Sequence, residues 1–163
     1  MGEFPRTLKI ATVWLLLGLA VFLGFRVLEA QQQRARLHVD AGGAIELRRG
    51  PDGHYHWRGA LNGRPVEFLV DTGATRTAIP AALARELGLE AQGRVRSQTA
   101  GGPVEGWRTR ADLALAGDVR VDRLALVVLP AMDGPPLLGM DVLGRLSLRQ
   151  HAGVLHIEPP GVR

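Results

Sequence analysis

The sequence predicts an all-β barrel or sandwich carrying one or two short helices, preceded by a single apolar N-terminal helix. Three observations carry that expectation. Beyond Leu37 the apolar residues fall into short runs separated by Gly, Pro, Asn and Asp turn signals. Only two stretches in that region bear helical punctuation. At the other end, Ile10 to Phe25 is a run of sixteen residues without a charge, bounded by Lys9 and Arg26.

The apolar run reads as a membrane anchor. It has no polar face, which a surface helix of a soluble domain would show. Its sixteen residues span about 24 Å as a helix, so snorkelling of Lys9 and Arg26 and inclusion of Leu8, Val27 and Leu28 are needed to reach the roughly 30 Å hydrocarbon core. A cleaved signal peptide is the competing reading. Its candidate site, Leu28-Glu29-Ala30, lacks the small residue expected two places before Ala30. Arg6 and Lys9 precede the run while Arg26, Arg34 and Arg36 follow it, so positive charge does not orient the span. The expected organisation is a short tail at 1–9, an anchor at 10–28, a linker at 29–37 and a folded domain at 38–163.

Within that domain, strands are expected at Ala44–Arg49, His54–Leu61, Val66–Val70, Arg94–Thr99, Val104–Leu115 and Val119–Leu129. A closing pair is expected at Leu146–Leu148 and Val154–Ile157. Asn62-Gly63 is a hairpin turn signal, and Ala100-Gly101-Gly102-Pro103 marks a projecting hairpin. The helices are expected at Ala81–Leu87, between Pro80 and Gly88, and from Asp141 or Val142 to about Arg145.

Composition removes several function classes. There is no cysteine, hence no disulfide, thiolate metal site or cysteine nucleophile. The net charge is +4, but from Leu37 onward fifteen Arg oppose fourteen acids, a difference of +1. Without a basic cluster or aromatic stacking platforms, nucleic acid is not an expected partner. No cofactor or metal is expected.

The chemistry concentrates at Phe68-Leu69-Val70-Asp71-Thr72-Gly73-Ala74-Thr75. An acid ends a buried apolar strand and is followed by a hydroxyl and a glycine that permits a tight turn. Asp-Thr-Gly alone is a weak signal. Two further features add to it: the glycine hairpin around Gly101 and Gly102 about thirty residues on, and Leu137-Leu138-Gly139-Met140-Asp141-Val142-Leu143. In this order and spacing, covering Tyr55 to Leu155, the chain resembles the retropepsin-like aspartic proteases, the clan of retroviral proteases and their membrane-linked bacterial relatives.

That resemblance implies an endopeptidase working through two carboxylates that share a proton, one as base toward water and one as acid toward the carbonyl. One Asp-Thr-Gly in the 127 residues after Arg36 supplies half of such a dyad, so a homodimer would bring the second Asp71 across a two-fold axis. Peptide or protein would be the substrate and the bilayer a further partner. Bacterial relatives imply the inner membrane, with the catalytic domain on its periplasmic side. By resemblance Asp71 is the acid–base residue, Thr72 braces the dyad toward the partner subunit, and Gly73 admits substrate backbone. Ala74 and Thr75 line the substrate site, Ala100, Gly101 and Gly102 form the flap, and Gly139 lets its loop pack beneath the active-site turn. Retroviral members follow Asp-Thr-Gly-Ala with an acid and place Arg after the second-signature glycine. Thr75 and Met140 stand there instead, so both charges are absent together.

Plainer roles compete for several residues. Asp71 could bond turn amides only. Asp141 is expected to cap the helix after it. His54 and His56 share a strand face but lack a third metal ligand nearby, so exposed strand positions are expected. Trp57 and Trp107 read as core or rim aromatics, with a substrate pocket as the alternative for Trp107. Ser97 and Ser147 have no His–Asp companions. A tethered, non-catalytic peptide-binding or regulatory module on the same fold is the alternative to the enzyme.

Overall fold

The computed structural model describes residues 6–34, 37–39, 44–99 and 101–158 and divides into two compact units, 1–36 and 37–163. The first contains one helix, α1 (Arg6–Arg34), whose side chains are described over 10–26. It is longer at both ends than the 10–28 expected and takes in most of the anticipated linker. The reason is local: from Val27 to Arg34 there is no Gly or Pro, and Leu, Glu, Ala, Gln and Arg are all good helix formers. Among the described residues no helix is long and apolar enough to cross a membrane. The described side chains, 10–26, span only about 25 Å at 1.5 Å per residue.

The second unit is almost entirely β. It runs β1 (Leu37–Val39), β2 (Ile45–Arg48), β3 (His56–Leu61), β4 (Arg64–Val70), β5 (Ala78–Pro80), α2 (Ala81–Glu86), β6 (Arg94–Thr99) and β7 (Gly102–Leu115). It continues with β8 (Val119–Leu129), β9 (Leu137–Leu138), α3 (Met140–Leu143), β10 (Ser147–His151) and β11 (Val154–Glu158). One sheet has the order β1-β2-β11-β10. The other has the order β3-β4-β9-β5-β8-β7-β6, and a further β3–β7 pairing closes it into a barrel from which β6 projects. Closure removes the edges an open sheet would expose.

Specific residues make that closure possible. A side chain at Gly59 on β3 would meet the Ala114 carbonyl of β7 at 2.5 Å, so the pairing needs glycine there. Asn62 and Gly63 both adopt positive φ, +48° and +79°, the hairpin turn expected from their sequence. Asn62 also accepts the amide of Asp112 at 2.8 Å, beside the register shift in β7.

The core is built from alternating strand positions. Trp57 and Phe68, directly opposite on β3 and β4, are fully buried with Leu61, Ile79, Leu126 and Leu138. Ile45, Leu47, Leu155 and Ile157 of the smaller sheet join the same cluster. Trp57 donates its indole N–H to the Ala116 carbonyl at 3.0 Å, while Trp107 is half-buried against this core. Strands β1, β5 and β9 were not expected. They have two or three residues each, too few for alternation to register.

The turn before β3 departs from expectation. His54 is exposed, but His56 is half-buried and its Nε2 lies 2.7 Å from Asp52 Oδ2. The His56 hydrogen bond, followed by the His54 amide, holds the Asp52 carboxyl below its ordinary range. Its contribution to stability is therefore present above the ordinary carboxylate pKa and is lost as pH falls through the depressed value.

Truncating the fully buried Phe68 to alanine is expected to lower stability by about 3–5 kcal/mol, read as a shift in the urea midpoint of the second unit.

Candidate active site

Asp71 sits where the last residue of β4 gives way to a turn. Its backbone N–H continues the ladder of β4 onto β9, donating to the Leu138 carbonyl at 3.0 Å, one step beyond the parallel pairs Leu69–Leu137 and Val70–Leu138. The carboxylate then folds back over the turn, and Oδ1 accepts the Gly73 amide at 2.8 Å. A β-carbon at Gly73 would stand 3.2 Å from that oxygen, a tight fit for any other residue. The turn closes through the Ala74 amide on the Asp71 carbonyl at 3.2 Å. Among the described residues the Asp71 carboxylate makes no other hydrogen bond, and the exposed Thr72 hydroxyl makes none.

A second crossing holds the turn from below. The loop that enters α3 passes so near that a side chain at Gly139 would meet the Arg76 carbonyl carbon at 2.5 Å and the Thr77 nitrogen at 2.8 Å. The Met140 amide donates to the Ala74 carbonyl at 2.8 Å. Asp141 accepts the Thr77 amide on both oxygens at 3.0 Å and the Thr77 hydroxyl at 2.8 Å. That hydroxyl accepts the Gly139 amide at 3.2 Å. Thr77 is fully buried, so these bonds satisfy polar groups with no access to water.

The expected N-cap role of Asp141 is therefore corrected. Gly139 is the N-cap residue of α3 and no side chain caps it; Asp141 lies in the first turn and reaches across to Thr77. A capping geometry and a cross-loop clamp have the same local sequence, and only the approach of residues 76–77 separates them.

The hairpin expected as the flap is formed by β6 and β7, whose register ends at the Thr99–Gly102 pair. Gly102 has φ +103°, which favours glycine, and the Thr99 hydroxyl donates to its carbonyl at 2.7 Å. Ala100 lies outside the described residues. At the flap's base, a side chain at Gly106 would collide with the Val128 carbonyl of β8.

Between turn and flap lies a cleft of about 830 Å³, bordered by Asp71, Gly73, Ala74, Thr75 and Gly101. Five of the residues singled out in the sequence thus share one wall or rim. Its apolar lining is a second, smaller cluster: Ala78, Val127 and Leu129, with Val95, Val104 and Leu137 packed on them. Sequence reasoning missed Val127 and Leu129, which sit in a continuously apolar strand end where periodicity cannot separate core from cleft. Arg76 and the 131–133 loop were missed as well, for want of a motif. Trp107 does not border the cleft; Ser97 does.

These residues invite comparison with known proteins. Residues 57–145, more than half of the chain, match the family model described as "gag-polyprotein putative aspartyl protease". The chain belongs to this family of retropepsin-like aspartic proteases. Its activity class is accordingly that of an aspartic endopeptidase. No curated protein matches it. Among solved structures, a retropepsin-like aspartic protease from Rickettsia conorii is similar at 22% identity and a TM-score of 0.58, over 71% of this chain and 90% of that one. That likeness concerns the fold. The EIAV protease in complex with the inhibitor HBY-793 is similar at 20% identity and a TM-score of 0.48, over 58% of this chain and 89% of that one.

Replacing Asp141 with alanine strands the buried Thr77 amide and hydroxyl and is expected to cost about 1–3 kcal/mol in chemical denaturation, whereas Asp141→Asn, which keeps one acceptor, costs less.

Proposed function

We propose that this chain is a membrane-anchored aspartic endopeptidase whose catalytic dyad forms only in a homodimer, one Asp71 from each copy. The observation that carries the proposal is the half-occupied carboxylate of Asp71. One oxygen is tied to the Gly73 amide, no neighbour among the described residues engages the rest of the group, and the cleft lies beside it. Two such carboxylates about 3 Å apart cannot both ionise, a case for which aspartic proteases are the general example. The shared proton makes one of them a base toward a water and the other an acid toward the carbonyl oxygen.

The other site residues take supporting roles in this reading. Thr72, exposed and without a hydrogen bond among the described residues, braces the dyad through the partner subunit. Gly73 leaves room for substrate backbone, with Ala74 and Thr75 beside it. The Gly101–Gly102 tip closes over a peptide that adds itself as a strand. Neither cofactor nor metal enters the chemistry.

The anchor of the proposal is the 21-residue stretch from Leu8 to Leu28, which reaches about 31 Å as a helix. Its support is the apolar surface of α1: Trp14 and Phe25 are 67% and 65% exposed, and the large apolar side chains described between them are exposed throughout. A bilayer would cover that surface, and confinement in two dimensions would raise the effective concentration for dimerisation. In this reading the domain lies outside the cytoplasm, at the inner membrane, as the resemblance to bacterial members of the clan implies.

Two measurements test this reading. Asp71→Asn is expected to lower peptide cleavage by at least about 100-fold without changing stability. When it is mixed in equal amount with the unaltered chain, random exchange leaves only about one quarter of the dimers with two Asp71, so activity per unaltered chain halves. Undiminished activity in the mixture would mean that each chain works alone. For the anchor, the full-length protein is expected to stay with the membrane pellet after alkaline carbonate extraction; release into the supernatant would refute it.

A further inference from the structure

We propose that Arg76 makes the cleft selective for peptides carrying a carboxylate side chain near the scissile bond. This rests on the peptide-binding reading of the same cleft. Arg76 follows the Asp71 turn by five residues and borders the cleft. It lies in the bend just before β5, where Thr77 and Ile79 are fully buried, while Ala78 belongs to the apolar cluster that borders the cleft with Arg76.

Its backbone is held on both sides. The Arg76 carbonyl lies against Gly139, and the next amide is bound by Asp141. The side chain thus projects from a fixed base, which reduces what must be ordered when a ligand binds. The guanidinium is exposed and, among the described residues, has no carboxylate partner. A planar fork of donors beside an apolar wall, with nothing of its own to bind, suits a carboxylate on an otherwise apolar peptide.

Arg96 on β6 also borders the cleft, but from the flap side: it is exposed, alternates with the half-buried Val95 and Ser97, and stands opposite the exposed Glu105, whereas Arg76 rises from the loop that carries Asp71. Asp133 is exposed on the 131–133 rim and forms no ion pair with Arg76. An acid bound at Arg76 therefore meets an unpaired cation, and a base there does not.

The test uses the full-length protein in detergent and fluorogenic peptides with an apolar scissile pair. A single Glu, Gln or Lys is moved through the four positions on either side of the bond. At one or two positions Glu is expected to beat its isostere Gln by about fivefold in kcat/KM, the size of a partly exposed ion pair, mainly through KM. The advantage shrinks as salt is raised. Arg76→Gln removes it, Arg76→Glu turns it toward Lys, and Asp133→Asn leaves it in place. Equal cleavage of Glu and Gln peptides at every position, or a preference that survives Arg76→Glu, overturns the proposal while leaving the endopeptidase intact. Binding of the same peptides to Asp71→Asn, read by fluorescence anisotropy, separates the two ideas. Charge-selective binding without any cleavage by the unaltered protein supports the role of Arg76 and removes the catalytic reading. Absence of both cleavage and binding overturns both.

Discussion

The crossing of Gly139 over the Arg76–Thr77 peptide is the contact on which the rest of the site depends. A β-carbon at Gly139 would fall within 2.5–2.8 Å of that backbone. Glycine lets the two loops touch, and the touch brings the Asp141 carboxylate to Thr77 and the Met140 amide to Ala74. The loop carrying Asp71 is thereby fixed at both ends, by β9 through Leu138 and by α3 through Ala74. A turn supported only by its own hydrogen bonds would not hold a carboxylate with the accuracy that proton sharing needs.

The same arrangement explains why the barrel has two apolar clusters rather than one. The larger packs Trp57, Phe68 and their neighbours between the barrel and the four-stranded sheet. The smaller, around Ala78, Val127 and Leu129, lies on the opposite side of the β5 and β8 backbones and faces the cleft. Strands apolar on both faces are expected wherever one face is core and the other is a binding surface. The apolar end of β8 is continuous for this reason, and the cluster doubles as the wall against which a peptide would lie.

Retroviral relatives, by the resemblance, carry an acid at position 75 and an arginine at 140. Here Asp141 and the buried Thr77 make the link between the same two loops, with a carboxylate, a hydroxyl and two amides in place of an ion pair. A charge-assisted bond to a buried amide is satisfied whatever faces the cleft outside it. The neighbouring position 76 is then available for a cation that the loop itself does not use.

Much of this was legible in the residues, and the reason differs from one position to the next. Asp71, Gly73, Gly101, Gly102 and Gly139 stood out because glycine and an acid at the end of an apolar strand report backbone constraints that sequence states directly. The Asn62-Gly63 turn and the β6–β7 hairpin followed from the same kind of signal. What the residues could not specify was which loops meet. The partnership of Asp141 with Thr77 spans 64 residues, Gly59 needs β7 beside it, and β5 and β9 are strands only because β8 and β4 pair with them. Local backbone preference is written in single residues and short runs. Close approach between distant segments is set by the closed barrel, and it was the folded chain that turned an anonymous Arg76 into a wall of the cleft.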